Sequence, residues 1–120
     1  MSRHNFERPQ LEKGYTRIAN GLLEGILEYP FTGGELKLVL AVIRATYGWG
    51  RKERVLSVSD LGGMTGLSHR HAKRLIQQLA RDKVLIKQPI TRLRVAMSLN
   101  KEFSTWRLRK TWVDSDVPTT

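Results

Sequence analysis

The segment between residues 59 and 82 constrains the fold more than any other part of this sequence. Four apolar side chains recur there at the spacing of one helix face, after Ser68 as the N-cap: Ala72, Leu75, Ile76 and Leu79. A shorter helix is predicted before them, capped by Ser59 and ending near Thr65, and Gly66 lies in the turn between the two. Two helices joined by a turn that contains glycine are typical of a helix-turn-helix unit.

The residues that follow this unit predict a pair of strands. Val84 to Ile86 begin an apolar strand, residues 89–92 can reverse the chain, and apolar residues alternate from Leu93 to Leu99 as in a half-buried return strand. Two strands after the second helix of such a unit form a wing. We therefore predict a mainly α fold with a small β wing, a winged helix-turn-helix.

Two more helices and a short strand are predicted nearer the N-terminus. The apolar residues from Thr16 to Tyr29 follow a helical period, which Pro30 ends. Thr32 and Glu35 form a capping-box pattern at the start of a helix that is apolar on nearly every side, as is typical of a helix at the centre of a domain. Residues 55–58 are predicted to form a short β-strand.

The length and composition of the chain limit its organisation. A chain of 120 residues has room for one core, which we place at residues 14–106, between a flexible arm at residues 1–13 and a tail at residues 107–120. The sequence has no cysteine, no apolar run long enough for a membrane span and no apolar stretch typical of a secretion signal. We therefore expect a cytoplasmic protein that does not associate with membranes.

The charge of the chain favours a polyanionic partner. Lys and Arg number 21 against 11 Asp and Glu, which gives a formal net charge of +10. An excess of this size is typical of nucleic-acid-binding domains. The alternative is that the charge only keeps the protein soluble.

The face of the second helix of the unit that lies opposite its apolar stripe carries the candidate DNA-binding residues. Arginine can make paired hydrogen bonds to guanine and glutamine to adenine, and the N-terminal end of such a helix contacts base edges. A solvated helix face is the alternative, but such faces are normally mixed in sign, and Asp82 is the only acid between Ser68 and Arg94. The residues predicted to contact DNA here are Ser68, His69, Arg70, Lys73, Arg74, Gln77 and Arg81.

The predicted wing adds Lys87, Arg92 and Arg94. We expect these side chains to contact phosphates or a minor groove, and not base edges in the major groove. For Lys87, protection of a strand edge against aggregation is an equal alternative.

The sequence predicts neither a metal site nor catalytic activity. His69 and His71 are two positions apart on a helix and point about 200° from each other, so they do not face the same ion. His4 is the only other histidine, and the acids are scattered. We expect a binding protein with no cofactor and no enzymatic activity.

Several segments resemble the N-terminal domain of the bacteriophage replication protein O family. The similarity spans roughly residues 14–106, and the segments that carry it are GYTRIAN at 14–20, TYGW at 46–49, MTGLS at 64–68 and NKEF at 100–103. The resemblance implies that the chain binds repeated sites in double-stranded DNA at a phage replication origin, in the cytoplasm of the bacterial host. It also implies that the bound protein marks the origin for helicase loading.

The resemblance implies protein partners as well. Family members usually bind as dimers and contact a helicase loader or the replicative helicase through a C-terminal region that these 120 residues do not contain. Gly21 and Gly25, four positions apart, fit either a helix-to-helix dimer contact or close packing inside the domain. A winged-helix transcriptional repressor remains an alternative because fold and charge do not separate the two functions. Positive charge argues against a protein-interaction module, the third alternative.

Overall fold

The computed structural model describes residues 9–92 and 94–109. This part of the chain is mainly helical with a small three-stranded antiparallel sheet, as predicted at that level. The elements are α1 (Asn20–Glu28), α2 (Gly33–Thr46), β1 (Glu53–Val55), α3 (Val58–Thr65), α4 (His69–Arg81), β2 (Leu85–Pro89) and β3 (Val95–Leu99). Short 3-10 turns lie at Leu11–Lys13, Tyr47–Trp49 and Phe103–Thr105. None of the helices in this part is long and apolar enough to cross a membrane.

Helix α2 forms the centre of the core. The predicted capping box is present: the Thr32 hydroxyl accepts from the Glu35 amide at 3.3 Å, and the Glu35 carboxylate accepts from the Thr32 amide at 2.9 Å. Helices α3 and α4 and strand β3 all pack against α2. Its side chains that are fully withdrawn from solvent include Leu38, Val39 and Val42. These contacts account for most of the apolar residues of α2, whereas Leu36 and Leu40 are exposed on its outer side.

The sheet closes one side of this core with β3 as its middle strand. Strands β2 and β3 pair in the register Lys87↔Met97, and the turn between them is closed by a hydrogen bond from the Ile90 amide to the Arg94 carbonyl at 2.9 Å. Leu93, the predicted start of the return strand, lies outside the described residues. The return strand itself begins at Val95.

The first helix begins later than predicted. It starts at Asn20 and not at Thr16, because Ala19 has extended dihedral angles and the preceding residues run as an extended segment. That segment packs the side chain of Ile18 against the core. An apolar residue counted as part of the helical period is thus partly buried without being in the helix.

The strand and cap that precede α3 are also shifted from their predicted positions. Strand β1 covers Glu53–Val55 and not residues 55–58, and the N-cap of α3 is Ser57 and not Ser59. Ser57 has an acid three positions later, and the pair makes a capping box with both hydrogen bonds at 2.9 Å. Ser59 lacks such a partner, since the third residue after it is Gly62.

The two glycines of α1 lie in different surroundings. A Cβ atom at Gly25 would come within 2.8 Å of the Phe103 ring, whereas a Cβ atom at Gly21 would meet nothing within 4 Å. Close packing inside the domain therefore accounts for Gly25. Beside this contact, Trp106 is buried and packs edge-on against Tyr29 with ring centroids 5.2 Å apart.

Candidate nucleic-acid interface

Helix α4 is set at an angle to α3 by a tight turn and a side-chain cap. Gly66 ends α3 in the left-handed region with φ of 79°, a conformation that glycine adopts without strain. The Ser68 hydroxyl then accepts a hydrogen bond from the His71 amide at 3.1 Å and starts α4. The predicted apolar stripe is confirmed as the buried side of α4: Ala72, Leu75, Ile76 and Leu79.

The opposite side of α4 is exposed and basic. We call it the cationic face, and it consists of Arg70, Lys73, Arg74, Gln77 and Arg81. At roughly 100° per residue, Gln77 lies near its middle, with Lys73 about 40° to one side and Arg74 about 60° to the other. A helix of 13 residues is about 20 Å long, so this face presents polar donors over that length.

Most side chains of the cationic face have no protein partner. Within the described part of the chain, the side chains of Arg70, Lys73, Arg74 and Gln77 make no hydrogen bond or ion pair. Arg81 differs, because its guanidinium donates to the Gln78 side-chain oxygen at 3.0 Å. The donors of this face are therefore available to an external ligand.

The one acid of this region is removed from the cationic face. Asp82, the residue that ends α4, is only 3% exposed. Its carboxylate accepts hydrogen bonds from the side-chain nitrogen of Gln78 at 3.2 Å and from Arg109 Nε at 2.9 Å. Asp82 thus does not offset the positive charge that α4 presents to solvent.

Arg109 connects the end of α4 to the start of α2. Each of the five N–H donors of its guanidinium has an acceptor: two on Asp82, two on Glu35 and the carbonyl of Pro30. The Arg109–Glu35 distances are 2.7 and 3.0 Å, and the guanidinium also lies 4.9 Å from the centroid of the Tyr29 ring. This network fixes the C-terminal end of α4 relative to α2.

The network also shifts the protonation of its members. Burial would raise the pKa of Glu35, but hydrogen bonds from Arg109 and the Thr32 amide outweigh it and hold that pKa below its ordinary value. Burial disfavours the charged form of Arg109, but its hydrogen bonds to Glu35 and Asp82 raise its pKa. Sequence reasoning missed this cluster, because 74 positions separate Arg109 from Glu35 and 27 separate it from Asp82.

A groove separates the cationic face from the β2–β3 hairpin. It has two adjoining depressions of about 260 and 370 Å³, and Gln77 and Lys87 line both. Side chains alternate along a strand, so Lys87 projects from the same face of β2 as the buried Leu85, beside α4. We call this the hairpin groove, and its polar lining comprises Ser57, Ser59, His69, Lys73, Gln77, Arg81 and Lys87.

The structure brings some predicted residues together and leaves others apart. His69, Lys73, Gln77, Arg81 and Lys87 share the hairpin groove. Arg70 and Arg74 are exposed on α4 but do not line this groove, and Arg92 and Arg94 are exposed at the hairpin turn. The sequence did not identify Ser57 and Ser59 as residues of this site. The Ser57–Asp60 capping pattern was the available signal that a helix begins at this position.

The two histidines of α4 point in different directions. His69 lines the hairpin groove. The His71 ring instead lies beside Gly34 of α2, 3.8 Å from where a Cβ atom at that position would be. His4 lies outside the described residues. Across residues 9–92 and 94–109, no group of three His, Cys, Asp or Glu side chains is placed to hold a metal ion.

Comparison with known proteins finds relatives among phage replication proteins. The chain is 30% identical over 100 residues to replication protein 15 of Enterobacteria phage phi80, which covers 83% of this chain and 33% of the relative. It is 31% identical over 100 residues to DNA replication protein gp18 of Salmonella phage P22, covering 83% and 35%. It is 31% identical over 78 residues to replication protein O of Escherichia phage lambda, covering 65% and 23%.

These matches cover a limited part of the relatives. The chain spans about a third of the length of the phi80 and P22 proteins. No solved structure matches it. The family model described as bacteriophage replication protein O matches residues 7–106, a range that includes every helix and strand described above. The chain belongs to the bacteriophage replication protein O family.

Proposed function

We propose that this chain binds a specific double-stranded DNA sequence at a phage replication origin and marks that origin for helicase loading. In this proposal α3, its turn and α4 act as a helix-turn-helix, and the β2–β3 hairpin acts as the wing. The names of the relatives, which are replication proteins, support a role in the initiation of replication.

The cationic face carries this proposal. Its arginine, lysine and glutamine donors have no partner among the described residues, with Arg81 as the exception, while the one nearby acid is buried against Arg109. Cations left unpaired on one helix face attract a polyanion. The major groove of duplex DNA is about 12 Å wide and admits an α-helix.

The exposed residues divide into two roles in this proposal. Arg70, Arg74 and Gln77 contact base edges, since arginine and glutamine make paired hydrogen bonds to guanine and adenine. Lys87 lies across the hairpin groove from α4, and Arg92 and Arg94 lie at the hairpin turn, where they contact phosphates or an adjacent minor groove. Phosphate contacts position the protein, whereas base contacts carry sequence preference.

The chain acts by binding, without catalysis or a cofactor, in the cytoplasm of the host cell. Contacts with a helicase loader or the replicative helicase are proposed to involve parts of the family outside these residues. Incubation with supercoiled plasmid and magnesium is expected to leave the plasmid intact. Nicking that disappears on substitution of one acid would contradict this part of the proposal.

Selection from a library of random duplexes tests the proposal. The full chain should enrich a defined motif, and that motif should recur as closely spaced repeats in the genome that encodes it. Arg74→Ala and Gln77→Ala should abolish or degrade the enriched motif, whereas the control Lys37→Ala, an exposed position on α2, should enrich the same motif.

Two outcomes would contradict the proposal in different ways. If the chain binds duplexes but enriches no motif, sequence-specific recognition is wrong. If the motif is enriched but occurs once, beside a promoter and not in repeats, the replication role is wrong.

A further inference from the structure

A further cavity lies away from the cationic face. It has a volume of about 610 Å³, which is within the usual size range of ligand sites. It is open to solvent, and its lining comes from the start of α1, the residues around the Tyr47–Trp49 turn and the segment after β3. Its apolar wall is formed by Ile18, Leu22, Tyr47 and Phe103.

The rim of this cavity is uniformly basic. Arg17, Arg51, Lys52 and Lys101 line it and are exposed, and its described lining contains no acidic residue. None of these four side chains forms an ion pair with another described residue. We call the site the basic-rimmed cavity.

Tyr47 adds an unsatisfied polar atom beside the apolar wall. Its hydroxyl is buried and has no hydrogen-bond partner among the described residues. Burial raises the pKa of this hydroxyl, so it stays protonated and able to donate at neutral pH. A buried hydroxyl without a partner costs free energy in the unbound protein.

The basic-rimmed cavity is distant from the surface proposed to bind duplex DNA. Arg51 and Lys52 precede β1, which forms one edge of the sheet, while Lys87 lies on β2 at the other edge. Lys101 follows the end of β3, whereas the hairpin turn precedes its start, and five residues of strand span about 17 Å. The cavity is thus diagonally opposite the hairpin turn across the sheet.

We propose that the basic-rimmed cavity binds an acidic peptide segment of a partner protein that carries a large apolar side chain. Carboxylates of such a segment pair with the four cations of the rim. Its apolar side chain packs against the wall that includes Ile18 and Phe103. A DNA backbone supplies charge but no large apolar group. Complementary charge around an apolar centre is the arrangement that gives protein interfaces their specificity.

The test begins with a displayed library of random 12-residue peptides selected against the full chain. The enriched peptides should share at least two acids next to a large apolar residue. A synthetic peptide of the enriched sequence is then titrated against variants by fluorescence anisotropy. Gly21→Leu fills the cavity from α1, where a Cβ atom meets open space, and Arg51→Glu reverses the charge of the rim.

Each variant has a matched control that lies away from the cavity. Gly63→Leu is made on α3, where a Cβ atom also meets nothing within 4 Å, and Lys37→Glu makes an equal charge change on α2. Gly21→Leu and Arg51→Glu should weaken peptide binding on the order of tenfold or more, and the controls should not. Arg51→Glu and Lys37→Glu should bind duplex DNA equally well.

Three results would overturn the inference. The first is a selection that enriches no peptide or enriches peptides without acids. The second is equal peptide binding by Gly21→Leu and the wild type. The third is a loss of duplex binding in Arg51→Glu well beyond that of Lys37→Glu, which would assign the rim to nucleic acid.

Discussion

Arg74 and Arg109 carry the same guanidinium group in opposite surroundings. Arg74 is exposed on the cationic face and has no hydrogen bond or ion pair with a described residue. The side chain of Arg109 is 19% exposed and is bound to Glu35 and Asp82. The donors of Arg109 are therefore used inside the domain, while those of Arg74 remain for a ligand.

The two surroundings depend on each other. Arg109 holds the carboxylate of Asp82, the residue that ends α4, and so fixes the C-terminal end of that helix relative to α2. An arginine that contacts no proposed DNA-binding residue thus helps to position the helix that carries the cationic face. The location of a binding face therefore depends on which charges the fold neutralises as well as on which it exposes.

The largest effect is expected from Arg109→Ala. This change leaves Glu35 and Asp82 buried without their cation, and breaking a buried ion pair in this way costs about 3 kcal/mol of unfolding free energy. Arg74→Ala should change stability by less than about 0.5 kcal/mol, as is usual for exposed positions. Urea denaturation followed by circular dichroism measures the unfolding free energy of both variants.

Arg107→Ala is the matched control for this prediction. Arg107 lies two positions away, and its side chain is exposed. Its hydrogen bonds with described residues are made by the backbone: its amide donates to the Asp82 carbonyl, and its carbonyl accepts from the Tyr29 hydroxyl. If Arg109→Ala is no less stable than Arg107→Ala, the buried network does not stabilise the fold.

A second effect concerns the hairpin turn. Arg92→Ala and Arg94→Ala should weaken binding to all duplexes alike, because phosphate contacts are blind to sequence. Each lost contact should flatten the plot of log affinity against log salt concentration by roughly 0.9. Fluorescence anisotropy over a salt series measures the slope, with Lys37→Ala as the control. A change in sequence preference would instead mean that the turn contacts bases.

A third and smaller effect concerns pH. Because the pKa of Glu35 is lowered in the folded state, the stability it contributes is present above the unfolded pKa, roughly 4.3, and is lost as the pH falls through the folded pKa. In Arg109→Ala, the lowering by Arg109 is lost while burial still raises this pKa against the Thr32 hydrogen bonds, so the pKa of Glu35 lies higher than in the wild type. The difference in unfolding free energy between the wild type and Arg109→Ala should therefore narrow from pH 6 to pH 3. The difference between the wild type and the control Arg107→Ala should stay constant over the same range. If the difference between the wild type and Arg109→Ala is also independent of pH, the protonation of Glu35 is not coupled to the stability that Arg109 contributes.

The sequence predicted elements that local signals define. Helices α2 and α4 have a capping residue and an apolar period within their own residues, and both were placed to within a residue or two. The predicted start of α1 was wrong because Ile18 packs against the core, partly buried, from a segment that precedes the helix. Local periodicity does not distinguish that burial from a turn of helix.

Features that depend on distant parts of the chain were not predictable in this way. The hairpin register that sets Lys87 opposite Met97, and so beside α4, follows from packing against the core. The Arg109 cluster and the basic-rimmed cavity join residues from three separate parts of the chain. The cationic face was predictable because all its members lie on one helix.

The most direct test of the central claim, that the cationic face reads DNA sequence, is a ratio of affinities. It compares the duplex enriched by selection with a scrambled duplex of equal length, at one salt concentration, for the wild type and for Arg70→Ala, Arg74→Ala and Gln77→Ala. Arg74→Ala and Gln77→Ala should each lose about 1 to 3 kcal/mol on the enriched duplex and less on the scrambled one, so the ratio falls. If all three variants keep the wild-type ratio, α4 does not read the sequence and the claim is wrong.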